Sequence, residues 1–348
     1  MDEHGRLVHI DGLRGLAVVL MVLVHAAATW EPTLTGSWLL LGAFVSAAGG
    51  LAAPLFVALF GWGMAKKPLT LSKRVWRAGF LFLCQLVVNL SAPHLFDPWT
   101  PGVLSLMGVL ILVEPVWRSG QFRRNDHSRR FFLALTTVCS LALLFGDWQG
   151  PSQWDARVST DTPAVLANHL MLTGLYPVFP WVIFAWFGLT VTTFQEDARR
   201  QQWFRALATI GLIISAILLV LSLREGRPWA LPTGDAFLTF FPANAAFLVA
   251  AITGLSLLWW GAERFSPVHR LADLGRVSLT VYVLHFLPFA LFHTFEDVHQ
   301  WSPSFTALVV LLYTTTWVLV GTWLQRRAPS FTLEALMRRF ETSRVRVR

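Results

Sequence analysis

The sequence predicts an all-α integral membrane protein of about ten transmembrane helices, with both termini in the cytoplasm. Three observations carry this expectation. Of 348 residues, 55% are hydrophobic and only 14% charged, with a mean hydropathy of +0.54, whereas a soluble domain carries roughly 25% charged residues. The apolar residues come in blocks near the ~20 that cross a ~30 Å hydrocarbon core, not in the runs of about four to eight that soluble α/β proteins use. The basic residues, finally, concentrate in every second loop.

The apolar blocks run approximately over 13–30, 46–65, 75–92, 102–117, 131–146, 175–194, 206–223, 236–260, 271–292 and 304–324, and residues 1–348 read as one polytopic domain. Arg6, the run Leu16–Val24 and Ala26–Ala28 superficially resemble a cleavable signal. Asp11 and Arg14 open that run, however, and nine more blocks follow, so it is taken as the first helix. The stretch 36–46 is cut from the second block by Gly49–Gly50 and Pro54 and reads as an interfacial or re-entrant piece. On the third block, Gln85 and Asn89 share a face, where they are expected to bond to neighbouring helices. Pro180–Trp181 and Pro242 are expected to kink their helices. Cys84 and Cys139 fall in separate blocks as small core residues; there is no zinc or redox motif and no metal ligand set.

The loops after the second, fourth, sixth and eighth blocks hold Lys66, Lys67, Lys73, Arg74 and Arg77; Arg118, Arg123, Arg124, Arg129 and Arg130; Arg199, Arg200 and Arg205; and Arg264, Arg270 and Arg276. The tail adds Arg326, Arg327, Arg338, Arg339, Arg344, Arg346 and Arg348, against only Arg157, Arg224 and Arg227 in the opposite loops. This bias places both ends inside and requires an even number of spans. It also explains the net charge of +8 without nucleic acid as a partner. The longest outer segment, 147–174, is rich in Trp, Asp, Gln and Pro, and is either the lining of a polar mouth or an ordinary solvated loop.

Ionisable groups at membrane depth cost several kcal/mol and mark function by default. The first helix carries Asp11, Arg14 and His25. At 100° and ~1.5 Å per residue, Arg14 and His25 lie about 20° apart on one face and ~16 Å apart along the axis. Asp11, three residues before Arg14, is placed to pair with it. In the ninth block Ser278, Tyr282 and His285 recur at spacings of four and three, on one helical face. A histidine such as His285 is often only an interhelical hydrogen-bonding partner. A transporter or permease is the rival reading of such charges; the lack of an inverted repeat and the scarcity of buried acids argue against it.

The opening HIDGLRGLAVVLMVLVHAAATW resembles the first helix of the transmembrane acyltransferase superfamily, in which an arginine is followed after ten residues by a histidine, as Arg14 and His25 are here. The segments AAPLFVALFGWGMA (52–65), PGVLSLMGVLIL (101–112), YPVFPWVIFAWFGLTV (176–191), FFPANAAFLVAAITGLSLL (240–258) and LGRVSLTVYVLHF (274–286) resemble further parts of it in order. The FPW and PGVLSLMG segments look closest to the bacterial form of the heparan-alpha-glucosaminide N-acetyltransferase catalytic-domain family, ahead of the related acyltransferase family 3. Two features depart from those relatives: residues 31–50 hold no histidine, and Val24 stands where many bacterial members have an acid.

The resemblance implies an enzyme of the cytoplasmic (inner) membrane that takes an acyl group, often acetyl, from cytosolic acyl-CoA. It would deliver that group to a hydroxyl or amine of a sugar or glycoconjugate on the opposite face, with no permanently bound cofactor. His25 would be the general base or carry the acyl group as a covalent intermediate. Arg14, held by Asp11, would bind CoA phosphates or fix the geometry, and Arg74 and Arg77 could also hold phosphates. Ser278, Tyr282 and His285 would supply donors to the developing oxyanion. A homodimer is compatible with these features but not specified by them.

Overall fold

A computed structural model describes residues 7–32, 39–66, 68–119 and 127–343. Lys67, Arg123, Arg124, Arg344, Arg346 and Arg348, all counted in the charge pattern above, lie outside the described residues. The helices are α1 (Val8–Trp30), α2 (Leu39–Lys66), α3 (Leu71–Ser91), α4 (Val103–Leu112), α5 (Glu114–Ser119) and α6 (His127–Leu144). They continue with α7 (Asp155–Val158), α8 (Pro163–Asn168), α9 (Val178–Val191), α10 (Asp197–Glu225) and α11 (Ala245–Arg264). The rest are α12 (Ala272–Arg276), α13 (Ser278–Leu284), α14 (Phe289–Phe292), α15 (Phe295–His299), α16 (Pro303–Arg327) and α17 (Leu333–Ser343). One two-residue parallel pair, Ala230–Leu231 with Leu238–Thr239, joins α10 to α11.

Five of these helices are long and apolar enough to cross a bilayer, or up to seven when each of two bent pairs counts as one span. The chain is thus a multi-pass, all-helical membrane protein. The blocks at 75–92, 102–117 and 131–146 are helical but do not meet that test. The block at 102–117 breaks at Val113, leaving the ten-residue α4. The block at 175–194 is interrupted at Phe179, whose ψ of 124° is non-helical, just before Pro180, as the expected kink requires. The block at 271–292 bends by 66° around Val277, between α12 and α13.

Two expectations change. The stretch 36–46 is not a separate piece: from Leu39 onward it is continuous with α2, which runs through Gly49, Gly50 and Pro54 to Lys66, while 36–38 lie outside the described residues. Tertiary packing overrides the glycine pair, because the ideal Cβ of Gly49 would fall 2.5 Å from Val24 on α1. Pro242 does not kink a helix, since it lies in the turn before α11. Asn244 caps α11 by accepting from the Phe247 N–H at 2.9 Å.

The chain divides into two compact units. The first comprises residues 7–32, 39–56, 90–94 and 261–343 of the described chain. In it α1 packs along the 266–271 turn, α12, α13 and α16. Missing side chains make that packing close. A Cβ on Gly15 would meet the Leu271 carbonyl oxygen at 2.1 Å, and one on Gly275 would meet the Asp11 carbonyl oxygen at 1.8 Å. Small residues let membrane helices bring their backbones together in this way.

The second unit comprises 57–66, 68–89, 95–119 and 127–260. Here Gly61 and Gly188 do the same for α2 and α9: their Cβ atoms would meet Ala185 O at 2.1 Å and Ala58 O at 1.7 Å. Trp181, Phe184, Phe187, Phe204 and Trp259 fill the core. Gln85 donates to Asn89 Oδ1 and accepts from the Leu104 N–H at the start of α4, while Asn89 donates to the carbonyls of Pro98 and Thr100. The shared face expected for Gln85 and Asn89 therefore holds the α3–α4 connection in place. Cys84 is buried, Cys139 partly so, and neither forms a disulfide.

Segment 147–174 folds around Arg157 rather than lying as a solvated loop. The guanidinium, 1% exposed, donates to the carbonyls of Thr173, Gly174, Gln149 and Gly150 at 2.8–3.2 Å. Burial lowers its pKa to about 10, so it remains charged at neutral pH.

Candidate functional site

The first unit brings the two sequence-predicted histidines together. His25 lies on α1, and His285 follows α13. His25 Nδ1 and His285 Nε2 are 2.8 Å apart. Their rings are 8° from coplanar with centroids 5.1 Å apart, an edge-to-edge arrangement suited to an in-plane imidazole–imidazole hydrogen bond. His285 Nδ1 is 3.0 Å from the Val281 carbonyl oxygen, one turn back. A carbonyl only accepts, so His285 Nδ1 carries the proton. In the neutral ring its Nε2 is then the acceptor. His25 Nδ1–H therefore donates to it, and the acceptor lone pair of neutral His25 resides on Nε2. Two hydrogen bonds in series thus fix both tautomers.

His285 is fully buried while His25 keeps part of its surface open. Tyr282, Phe286, Phe289 and Trp317 surround the pair with rings. Tyr313 of α16 donates its hydroxyl to the His285 carbonyl, which pins the end of α13. The Trp30 indole N–H binds the Phe292 carbonyl at 3.0 Å, tying the end of α1 to α14.

At the N-terminal end of α1 the expected Asp11–Arg14 pair is present at 3.0 Å. The same carboxylate, 2% exposed, also meets Arg276 at 3.3 Å. Arg276 and Arg326 in turn share Asp273. Arg14 remains 28% exposed, so it is within reach of a solvated anion. We expect Asp11→Asn to lower stability by about 1–3 kcal/mol, because two guanidinium groups lose their shared buried counter-charge but both reach solvent. Arg14→Ala should cost less, since Asp11 retains Arg276. Thermal unfolding in detergent checks that order, and equal losses would contradict it.

Other predicted residues are placed differently. Tyr282 meets the His25 ring edge-on at 6.5 Å. Ser278 is the first residue of α13, about 10 Å along the axis from His285. Arg74 and Arg77 occupy the start of α3, in the second unit. Sequence reasoning missed three contributors: Arg276 as a partner of Asp11, Tyr313 on His285, and Glu334, which accepts from the Leu279 and Thr280 N–H groups at the start of α13. Gly12, Gly15 and Gly275, spaced for close helix approach, were the available signal for Arg276; the other two have no local signature. Among the described residues no group of three or more His, Cys, Asp or Glu could hold a metal ion.

A family model of the acyltransferase domain, family 3, matches residues 7–323. The chain belongs to that family. It is therefore a membrane acyltransferase, and the match covers the helices that carry Asp11, Arg14, His25, Tyr282 and His285. No curated protein matches the chain.

A second histidine pair lies elsewhere in the first unit. His94, in the loop after α3, stacks on His293 with centroids 4.2 Å apart. Burial, and then the neighbouring His293, hold the His94 pKa down to about 4. The folded chain thus favours neutral His94. Its contribution to stability is present above the ordinary histidine pKa of about 6.5 and is lost as pH falls toward 4. The ring keeps a solvent-facing edge, so the effect is small. The melting temperature should fall over that window, and by less in His94→Gln; identical slopes would contradict the assignment.

Proposed function

We propose that this acyltransferase takes an acyl group, acetyl in the first instance, from cytosolic acyl-CoA and delivers it to a hydroxyl or amine of a sugar or glycoconjugate across the inner membrane. The observation that carries the reading is the tautomer relay Val281 O···His285···His25, which directs the basic lone pair of His25 to Nε2. There it accepts the acceptor's proton as the new C–O or C–N bond forms. The C–S bond breaks, and the Nε2 proton passes to the departing CoA thiolate. His285 orients the base and spreads its charge, while the Tyr282 hydroxyl is proposed as a donor to the oxyanion.

The loop charges support an orientation with both termini in the cytoplasm. On that orientation Arg14 lies on the CoA side and His25 deeper, along the path of the acyl group. Arg14 in the first unit and, separately, Arg74 and Arg77 in the second are proposed as phosphate-binding candidates. The acetyl donor and sugar acceptor are supported by the resemblance to the heparan-alpha-glucosaminide N-acetyltransferase family. The test uses purified protein in liposomes with radiolabelled acetyl-CoA, with and without sugar acceptors. Acceptor-dependent transfer supports the reading, and a protein that binds no CoA would sink it. A reporter fused after Arg348 that proved periplasmic would reverse the orientation.

A further inference from the structure

We propose that Glu334 is a positioning residue for the histidine pair, acting through the start of α13 from the first turn of α17. α13 has seven residues and no side-chain cap of its own: Val277 precedes it in a non-helical conformation, at the 66° bend from α12. Its Leu279 and Thr280 N–H groups find their acceptor 55 and 54 residues away. Glu334 Oε1 accepts from the Leu279 N–H at 2.7 Å and the Thr280 N–H at 3.3 Å, and Oε2 accepts from the Thr280 hydroxyl at 2.6 Å. The Thr280 oxygen accepts in return from the Leu333 N–H at 2.8 Å. Thr332 already caps α17 through the Ala335 N–H, which leaves the Glu334 carboxylate to serve the other helix.

A seven-residue helix has little stability alone, and a carboxylate at its N-terminus satisfies orphan donors while favouring its dipole. What α13 carries gives the clamp its consequence. Tyr282 lies on it, His285 follows it, and Val281 is the residue whose carbonyl fixes the His285 tautomer. Tyr313 holds the far end through the His285 carbonyl. Glu334 at one end and Tyr313 at the other therefore set where the His285 ring meets His25. Burial pushes the Glu334 carboxyl above its ordinary range, and the donors from Thr280 and the backbone pull it back. Losing the Thr280 hydroxyl thus removes part of what opposes the effect of burial.

The inference rests on the proposed role of His25, so its test has one readout that needs no turnover. In protein labelled with 15N-histidine, Glu334→Ala should shift the ring signals of His285 and His25, and Thr280→Val should shift them less in the same direction. Unchanged signals in a folded variant overturn the proposal. In the acyl-transfer assay Glu334→Ala should lower kcat by about 10²-fold, the scale of a 1 Å misplacement, with KM for acetyl-CoA unchanged. Combined with His285→Ala it should add nothing, whereas a merely structural role would multiply the two losses and overturn the proposal. If Glu334→Ala does not fold, Glu334→Gln with Thr280→Val replaces it, and wild-type kcat and histidine signals in that pair also overturn it. A wild-type protein that transfers no acyl group would refute the proposed function and leave the histidine spectra to decide the positioning role.

Discussion

Replacing His25 by alanine should reduce acyl transfer by about 10²–10⁴-fold, the usual contribution of a positioned general base, while the protein still folds. That loss corresponds to roughly 3–5 kcal/mol of transition-state stabilisation. The expectation follows from where the protons sit. The Val281 carbonyl forces the His285 proton onto Nδ1, and His285 Nε2, 2.8 Å from His25 Nδ1, then forces the His25 proton onto Nδ1. No other arrangement of two neutral imidazoles satisfies both contacts. His285→Ala removes that constraint but not the base. It should cost on the order of 10²-fold through misorientation, with acetyl-CoA affinity retained. A folded His25→Ala variant that transfers acetyl at the wild-type rate would eliminate His25 as the base. Acyl label recovered covalently on His25 would favour the acyl-histidine route over direct transfer.

The residues of this site were legible in the sequence to the extent that the membrane makes polar groups conspicuous. Asp11, Arg14 and His25 stand out in an apolar run, and their i,i+3 and eleven-residue spacings survive intact in α1, which is unbroken from Val8 to Trp30. His285 was visible both as a candidate and as an ordinary interhelical partner, and its interhelical partner is His25 itself. What hydropathy could not convey is where a span breaks. Residues 271–292 read as one apolar helix with Ser278, Tyr282 and His285 in register. The bend at Val277 has no proline to announce it, arising where Gly275 meets the Asp11 carbonyl and Glu334 caps α13. Window averages also run across the breaks at Val113 and Phe179, so blocks of spanning length become shorter or bent helices. Arg276 was counted as a loop charge because its partner Asp11 is 265 residues away.

Arg157→Met should destabilise the second unit by about 3–5 kcal/mol, because it strips four backbone carbonyls of their shared charged donor. As a loop arginine it looked unremarkable, one of three on its side of the charge pattern. In the fold it is 1% exposed and donates four hydrogen bonds to backbone carbonyls, from Gln149 and Gly150 on one side and Thr173 and Gly174 on the other. A thioether cannot donate to any of those carbonyls. Each buried acceptor left bare costs about 1–3 kcal/mol, although water entering the vacated space recovers part of this. Arg157→Lys should rescue only partly, because three donors on a compact ammonium cannot span the fork that reaches both ends of the segment. At about 2–4 °C per kcal/mol for a unit of this size, the melting temperature in detergent should drop by about 6–20 °C for Met and less for Lys. A shift below 2 °C for Arg157→Met would mean that the segment 147–174 holds its shape without the guanidinium.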